Sequence, residues 1–380
     1  MNINFLLIGD LTGRRMQIFS KCLNHLNLNN ITIITWTEIL KDISVLESNM
    51  KKNTIVKIEP PEKDMEIYRS LLIRGAIKGD LKEDFIRGID FSDFKIISPR
   101  QWYYGFESIV REIKNVCDRY QNQNVYMLND IDDMLAMMDK EQTYDILKLN
   151  SEGKGFYLPK SFKSVCSYEE FSDMYGDKPM KAFIKLRYGS GSTGVLGYAN
   201  NPRRGQEIIY TSLNSESENF YSNYRVNRFT EKNKVRHLID WVLKNGAHIE
   251  SWIPKDKYQG KAFDTRSFVL GGKAEYLLTR MSKTPITNLH LKNERAESCD
   301  IMDDDLLEII KKASESAMEV FSNSLFAGLD VITTNSGRPY IIDVNPFGDL
   351  FHNLIGSDLN VHYLEIKKAI EIIRGEKHGS

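Results

Sequence analysis

The chain has few cysteines. Only Cys22, Cys117, Cys166 and Cys299 occur in 380 residues, no two of them form a CxxC pair, and no histidine lies nearby at zinc-finger spacing. This scatter excludes a disulfide framework and a structural zinc, and it points to a reducing cytoplasm. An excess of charge of either sign is also missing: 51 Lys and Arg stand against 52 Asp and Glu. With no global field, neither nucleic acid nor a membrane surface is an expected partner. No apolar run approaches the roughly 20 residues needed to span a bilayer. The opening "MNINFLLIGDLTG" lacks the basic start and small-residue cleavage site of a secretory signal, so it reads as a first strand. Internal repeats and long low-complexity tracts are absent as well. What is present is 41% hydrophobic residues, enough for a sizeable core, in a length that favours two or three domains. A soluble cytoplasmic protein is expected, with its function carried by local sites.

Ile3–Asp10, a helical stretch to Leu26 and Asn30–Trp36 read as strand, helix, strand, which predicts a small parallel sheet with helices on its faces. Thr54–Pro61 reads as a third strand stopped by Pro60 and Pro61, and Lys95–Pro99 as the piece that closes this unit. Gly9 and Gly13 do not complete a GxGxxG, so a dinucleotide site is not expected. Tyr104–Tyr120 has helical spacing, and Asn124–Lys140 reads as a strand, an Asp cap and a further helix whose methionines fill core. Residues 202–235, polar and weakly periodic, are expected to form a mobile or surface excursion.

Three stretches could carry chemistry. In "AFIKLRYGSGSTGVLGY" a strand leads through Lys185 into the loop Gly189, Ser190, Gly191, Ser192, Thr193, Gly194. Glycines let backbone amides approach a polyphosphate, hydroxyls add donors and the lysine adds a full charge; a plain Gly/Ser hairpin is the alternative. In "LFAGLDVITTNSGRPYIIDVNPFGDL" a hairpin would bring Asp330 near Asp343 and Asn345, the last two on one face of a strand. Two carboxylates and an amide oxygen suit Mg²⁺, while an Asp-capped turn beside an Asx turn is the bland reading. In the third stretch, Asp264 and Arg266 share one face of a strand, Arg280 lies on the next, and Asn288 and His290 sit in a polar loop. Such arginines hold carboxylate or phosphoryl groups, although each taken singly could be a surface ion pair.

Taken in order, these residues resemble the ATP-grasp superfamily. The order is Asp139-Lys140, Lys185 before the Gly/Ser loop, an acidic-aromatic hinge at Glu250–Ile253, Asp264-x-Arg266, Arg280, Asn288, Asp330 and Asp343-x-Asn345. Within that superfamily the chain is similar to carboxylate–amine ligases like the enzyme that adds glutamates to a ribosomal protein. "SPRQWYYGF", "ESWIPK", "TNLHL" and "NPFGDL" look closest to a poorly characterised bacterial branch. The resemblance implies an α/β and α+β architecture: an N-terminal Rossmann-like domain (1–128), a central and lid part (129–250) and a C-terminal part (251–375), with ATP between the last two. It implies that Lys140, Lys185 and loop 189–194 contact phosphates and that Glu250, Trp252 and Ile253 form the adenine hinge. Asp330, Asp343 and Asn345 would hold Mg²⁺, and Arg266, Arg280 and Asn288 would face the acyl phosphate.

Two departures stand out. Pro254-Lys255-Asp256 replaces the ribose-binding glutamate usual after the hinge, and "NPFGDL" replaces Asn-x-x-Pro-Gly, which puts Asp349 on the loop or acceptor side. The function implied is an ATP- and Mg²⁺-dependent ligase acting on a small molecule or a peptide, with segment 202–235 and Gln101–Phe106 as candidate groove. The alternatives are an ATP-grasp kinase, for which only Arg203, Arg204, Arg225 and Arg228 offer a basic patch, and a scaffold without turnover. The sequence leaves the oligomeric state open, a homodimer included.

Overall fold

A computed structural model describes residues 2–61, 64–91, 95–288, 291, 293–349 and 360–375. The first sheet is parallel, in the order β2-β1-β3-β4, from β1 (Asn4–Gly9), β2 (Ile31–Thr35), β3 (Thr54–Ile58) and β4 (Val125–Met127). Side chains alternate across it. Leu6 and Ile8 join Phe106, Ile109 and Ile113 of the helix Pro99–Arg119, while Phe5 and Leu7 join Phe19 and Leu23 of the helix Arg14–His25. Lys95–Pro99 does not close this sheet. Lys95 makes one isolated bridge to Tyr221, and Pro99, with no amide proton to donate, starts the helix instead.

The second sheet is antiparallel, in the order β8-β7-β6-β5-β9, built from β5 (Lys181–Leu186), β6 (Val195–Asn201), β7 (Gln206–Glu216), β8 (Asn219–Phe229) and β9 (Ala247–Ser251). Helix Lys232–Lys244 covers one face with Val235, Leu238, Ile239 and Val242. The expected excursion at 202–235 is therefore mostly an 11-residue-per-strand hairpin running into that helix. Its apolar alternation was weak because β8 is an edge strand on which only Phe220 is buried.

The third sheet has the order β13-β12-β11-β14-β15 and comprises β10 (Lys257–Tyr258, paired only with β11), β11 (Lys261–Leu270), β12 (Lys273–Ser282), β13 (Glu294–Glu297), β14 (Phe326–Thr333) and β15 (Pro339–Asn345). β11 is buried from Phe263 to Leu270, and β14 along its whole length. Such burial on both faces fits the apolar run of β14, broken only by Asp330 and the terminal Thr333, whereas β11 buries the polar stretch from Asp264 to Ser267. Helix Asp304–Met318 packs Ile310, Ala313 and Ala317 on one side, beside Leu329, Val331 and Val344. A shared cluster of Phe5 and Phe19 with Phe268, Phe326, Ile366 and Ala369 ties the first sheet to the third and to the helix Asn360–Ile373. Among the described residues no helix is long and apolar enough to cross a membrane.

The aromatic stretch Gln101–Phe106 does not line an open groove. Gln101, Tyr103 and Phe106 are buried, Trp102 stacks on Phe106 at 5.5 Å, and Tyr103 stacks on Tyr188 at 4.1 Å, where the first sheet's helix meets the root of the Gly/Ser loop. Burial of the rings fixes that joint.

Candidate functional site

Two capped helices bring the first cation into place. Asp130 caps Ile131–Met138, and Asp139 caps Lys140–Leu149 by accepting from the amides of Glu141 and Gln142, which sets Lys140 at the first helical position. Lys140 Nζ donates to both oxygens of Asp343 on β15, at 2.9 and 3.0 Å. Burial alone would push the Asp343 carboxyl up, but Lys140 and then Lys185 outweigh it and hold the group below the usual carboxylate range.

Lys185, on β5, lies 2.6 Å from Glu250 Oε1 of the neighbouring β9 and donates to the Ile342 carbonyl at 3.0 Å. Glu250 also faces His248 Nε2 at 3.4 Å. Its carboxyl is buried, which favours the neutral form, yet Lys185 and His248 keep it lowered. The expected hinge role of Glu250 thus falls on a side chain occupied by Lys185. Of the other two hinge residues, Trp252 gives its amide to the Lys181 carbonyl and packs its ring on Phe183, and Ile253 follows it at the start of the crossing to β10. Lys140, Tyr144, Lys185, His248, Glu250 and Asp343 surround a cavity of about 20 Å³, room for one water.

The loop after β5 is held at its root. Arg187 grips Asp139 through Nε and Nη2 at 2.6 and 2.7 Å and also reaches Glu141. Gly191, Ser192 and Gly194 have φ of 60°, 67° and 67°, the left-handed region. A Cβ on Gly194 would come 2.2 Å from the Leu186 side chain, so glycine is needed there for space as well as conformation. The amides of Gly189 and Thr193 turn back onto the carbonyls of Leu186 and Ser190.

Beside this lies a buried chain of alternating charges on the third sheet. Asp330 and Asp343 are register partners on β14 and β15, with a bulge after Asp330, so the hairpin does bring them together. Asp330 Oδ2 lies 3.1 Å from Arg280 Nη2, and Arg280 Nε donates to Asp264 Oδ1 at 2.7 Å. Arg280 and Lys255 hold the Asp264 carboxyl far below its usual range against the upward pressure of burial. Arg266 Nε lies 2.7 Å from Asp330 Oδ1 and 3.9 Å from Asp349 Oδ2. Arg266 Nη2 donates to Asp330 Oδ2 at 3.4 Å, and the shorter Nε–Oδ1 contact is an ion pair outside hydrogen-bond geometry. Asn345 donates to the Gly328 carbonyl at 3.2 Å. The Asn288 carbonyl accepts from Asn293 Nδ2 at 2.9 Å. Among the described residues no three His, Cys, Asp or Glu side chains gather at one point; the candidate metal set is two carboxylates and an amide. His290 lies outside the described residues.

Sequence reasoning missed three members. Arg187 directly precedes the glycine loop, His248 alternates with Glu250 along β9, and Lys255 stands at the departure after the hinge; each carried a positional signal.

No family model and no curated protein matches the chain. Solved structures do. D-alanine–D-alanine ligase from Bacillus anthracis, complexed with ATP, aligns over 99% of this chain and 100% of its own at 13% identity and a TM-score of 0.53. The ATP-grasp ligase PsnB, complexed with a minimal precursor, aligns over 96% and 99% at 10% identity and 0.54. The D-cycloserine synthetase DcsG aligns over 98% and 99% at 10% identity and 0.52. At such identities the likeness is one of fold, and it spans the whole chain.

Proposed function

On an ATP-grasp fold, we propose that this protein is an ATP- and Mg²⁺-dependent carboxylate–amine ligase forming an amide through an acyl phosphate. The carrying observation is the convergence of Lys140, Lys185, Asp330 and Asp343 from one helix and three strands of two sheets. In this reading 1–128 is the Rossmann-like domain, 129–250 the central and lid part, and 251–375 the part bearing the metal and catalytic groups.

The residues fit the implied ligands. Asp330, which faces Arg266 and Arg280, forms with Asp343 and Asn345 the hard-oxygen set Mg²⁺ takes. Mg²⁺ bound there would supply charge to the phosphoryl oxygens. Lys140 and Lys185 now rest on Asp343 and Glu250, and both would exchange these carboxylates for phosphates. Loop 189–194 would close over the phosphates on its Arg187 root and exclude water, while Trp252 and Ile253 would meet the adenine. The substrate carboxylate attacks the γ-phosphorus and ADP departs. The amine then attacks the acyl carbon, the oxyanion meets Arg266 or Arg280 beside Asn288, and phosphate leaves.

PsnB has been solved with its precursor peptide and AMPPNP. That precedent, and exposed Arg203, Arg204, Arg225 and Arg228 on and beside the β7–β8 hairpin, favour a peptide acceptor carrying acidic residues. The test is product analysis with candidate acceptors. An amide and free phosphate support the ligase; a stable phosphoester would mark a hydroxyl kinase.

A further inference from the structure

After the hinge, the chain turns the side chain of Lys255 inward, leaving it 6% exposed. Nζ donates to Thr287 Oγ1 at 2.6 Å and to Asp264 Oδ2 at 3.2 Å, and the Thr287 hydroxyl itself donates to Asp264. Lys255 thereby starts the alternating sequence Lys255, Asp264, Arg280, Asp330, Arg266, each neighbour an ion pair. The charged groups acting on it are Asp264 from β11, Arg280 from β12 and Asp330 from β14, and the polar Thr287 faces it from the loop after β12. That same loop carries Asn288.

We infer that Lys255 is a positioning residue: as an ammonium it fixes Asp264, and through it the Arg280 guanidinium, and it clamps the Thr287–Asn288 loop, so that turnover requires its proton. This rests on the ligase reading of the site. Of the three cations in the chain, only the lysine can give up a proton, since a guanidinium does not titrate in proteins. Burial, foremost, pushes the Lys255 ammonium below the usual lysine range; Asp264 opposes this and Arg280 adds to it. The charged form therefore prevails below that lowered value and is lost as pH rises through it. A neutral lysine would leave Arg280 as the one cation paired with Asp264, beside the Thr287 hydroxyl, and the guanidinium would be drawn towards Asp264.

The test combines two substitutions with a titration. Lys255→Met should lower kcat on the order of 10²-fold and alter the nucleotide KM by no more than about threefold. Lys255→Arg keeps the cation but not the titration, so it should restore most of kcat and move the alkaline limb of kcat/KM up by about one pH unit or more. In the wild-type protein, the Lys255 side-chain NMR signal should titrate at the pH of that limb, a reading that does not depend on either variant folding well. An unmoved limb in Lys255→Arg, or a Lys255 that titrates with the surface lysines, overturns the inference and leaves the ligase reading intact. A wild-type protein that releases no ADP with any acceptor overturns the ligase reading, and the role of Lys255 in turnover with it.

Discussion

Lys140 Nζ bridges both oxygens of Asp343, at 2.9 and 3.0 Å, across 203 residues of sequence. The lysine neutralises a mostly buried carboxylate that the proposed reaction assigns to Mg²⁺, so lysine and metal compete for one group. Lys140→Met should destabilise the free protein by about 1.5–3 kcal/mol, the cost of leaving a hydrogen-bonded charge without its partner. Added Mg²⁺ without nucleotide should then raise the melting temperature of the variant more than that of the wild type. Thermal unfolding across a Mg²⁺ series measures both effects; equal Mg²⁺ responses would contradict the competition.

Several buried carboxyls are held low by cations, so stability should depend on acid pH. Glu365 is pulled down to about 2, as Lys57 and His362 outweigh burial, and Asp264, Glu250 and Asp343 are lowered too. A carboxyl lowered in the folded state stabilises fully above its unfolded value and loses that contribution as pH falls through the folded one. Denaturant midpoints should hold above about pH 5 and fall steadily from about pH 4 to pH 2. Glu365→Ala leaves Lys57 buried beside only Glu59 and should cost about 3–5 kcal/mol at neutral pH while flattening the acid slope.

The Arg187–Asp139 pair couples the root of the glycine loop to the cap that positions Lys140. Arg187→Ala should weaken nucleotide binding by about 10-fold, or about 1.4 kcal/mol, with a smaller effect on overall stability. Calorimetric titration with a non-hydrolysable ATP analogue gives the value. Unchanged affinity would mean the loop is held by other contacts.

If the arginines at and beside the β7–β8 hairpin receive an acidic peptide, Arg225→Glu with Arg228→Glu should raise acceptor KM about 10-fold or more and leave the nucleotide KM unaltered. Steady-state kinetics with the acceptor varied decides this, and equal acceptor KM values would place recognition elsewhere.

Much of the arrangement was legible because it is local. Period-two alternation put Asp343 and Asn345 on one face, the turn between two apolar strands predicted the Asp330–Asp343 pairing, and glycines after Lys185 marked the loop. The parallel first sheet followed from strand and helix order. What escaped was set by long-range packing. The edge hairpin β7–β8 buries too little to leave a clear alternation, and although the strand at Val125–Met127 is legible, its place as the fourth strand of the first sheet, reached after the long helix, is not. The pairing of Lys185 with Glu250 and the inward turn of Lys255 depend on which strands become neighbours, which no local spacing encodes.

The central claim is that Lys185 and Asp343 handle the nucleotide phosphates and the metal of an ADP-forming ligase. Mg²⁺-dependent ADP release, measured with a screen of amino acids and peptides, tests it most directly. The wild-type protein should release ADP with an acceptor, and Lys185→Ala and Asp343→Ala should each abolish that release while remaining folded. Turnover retained in both folded variants would contradict the account.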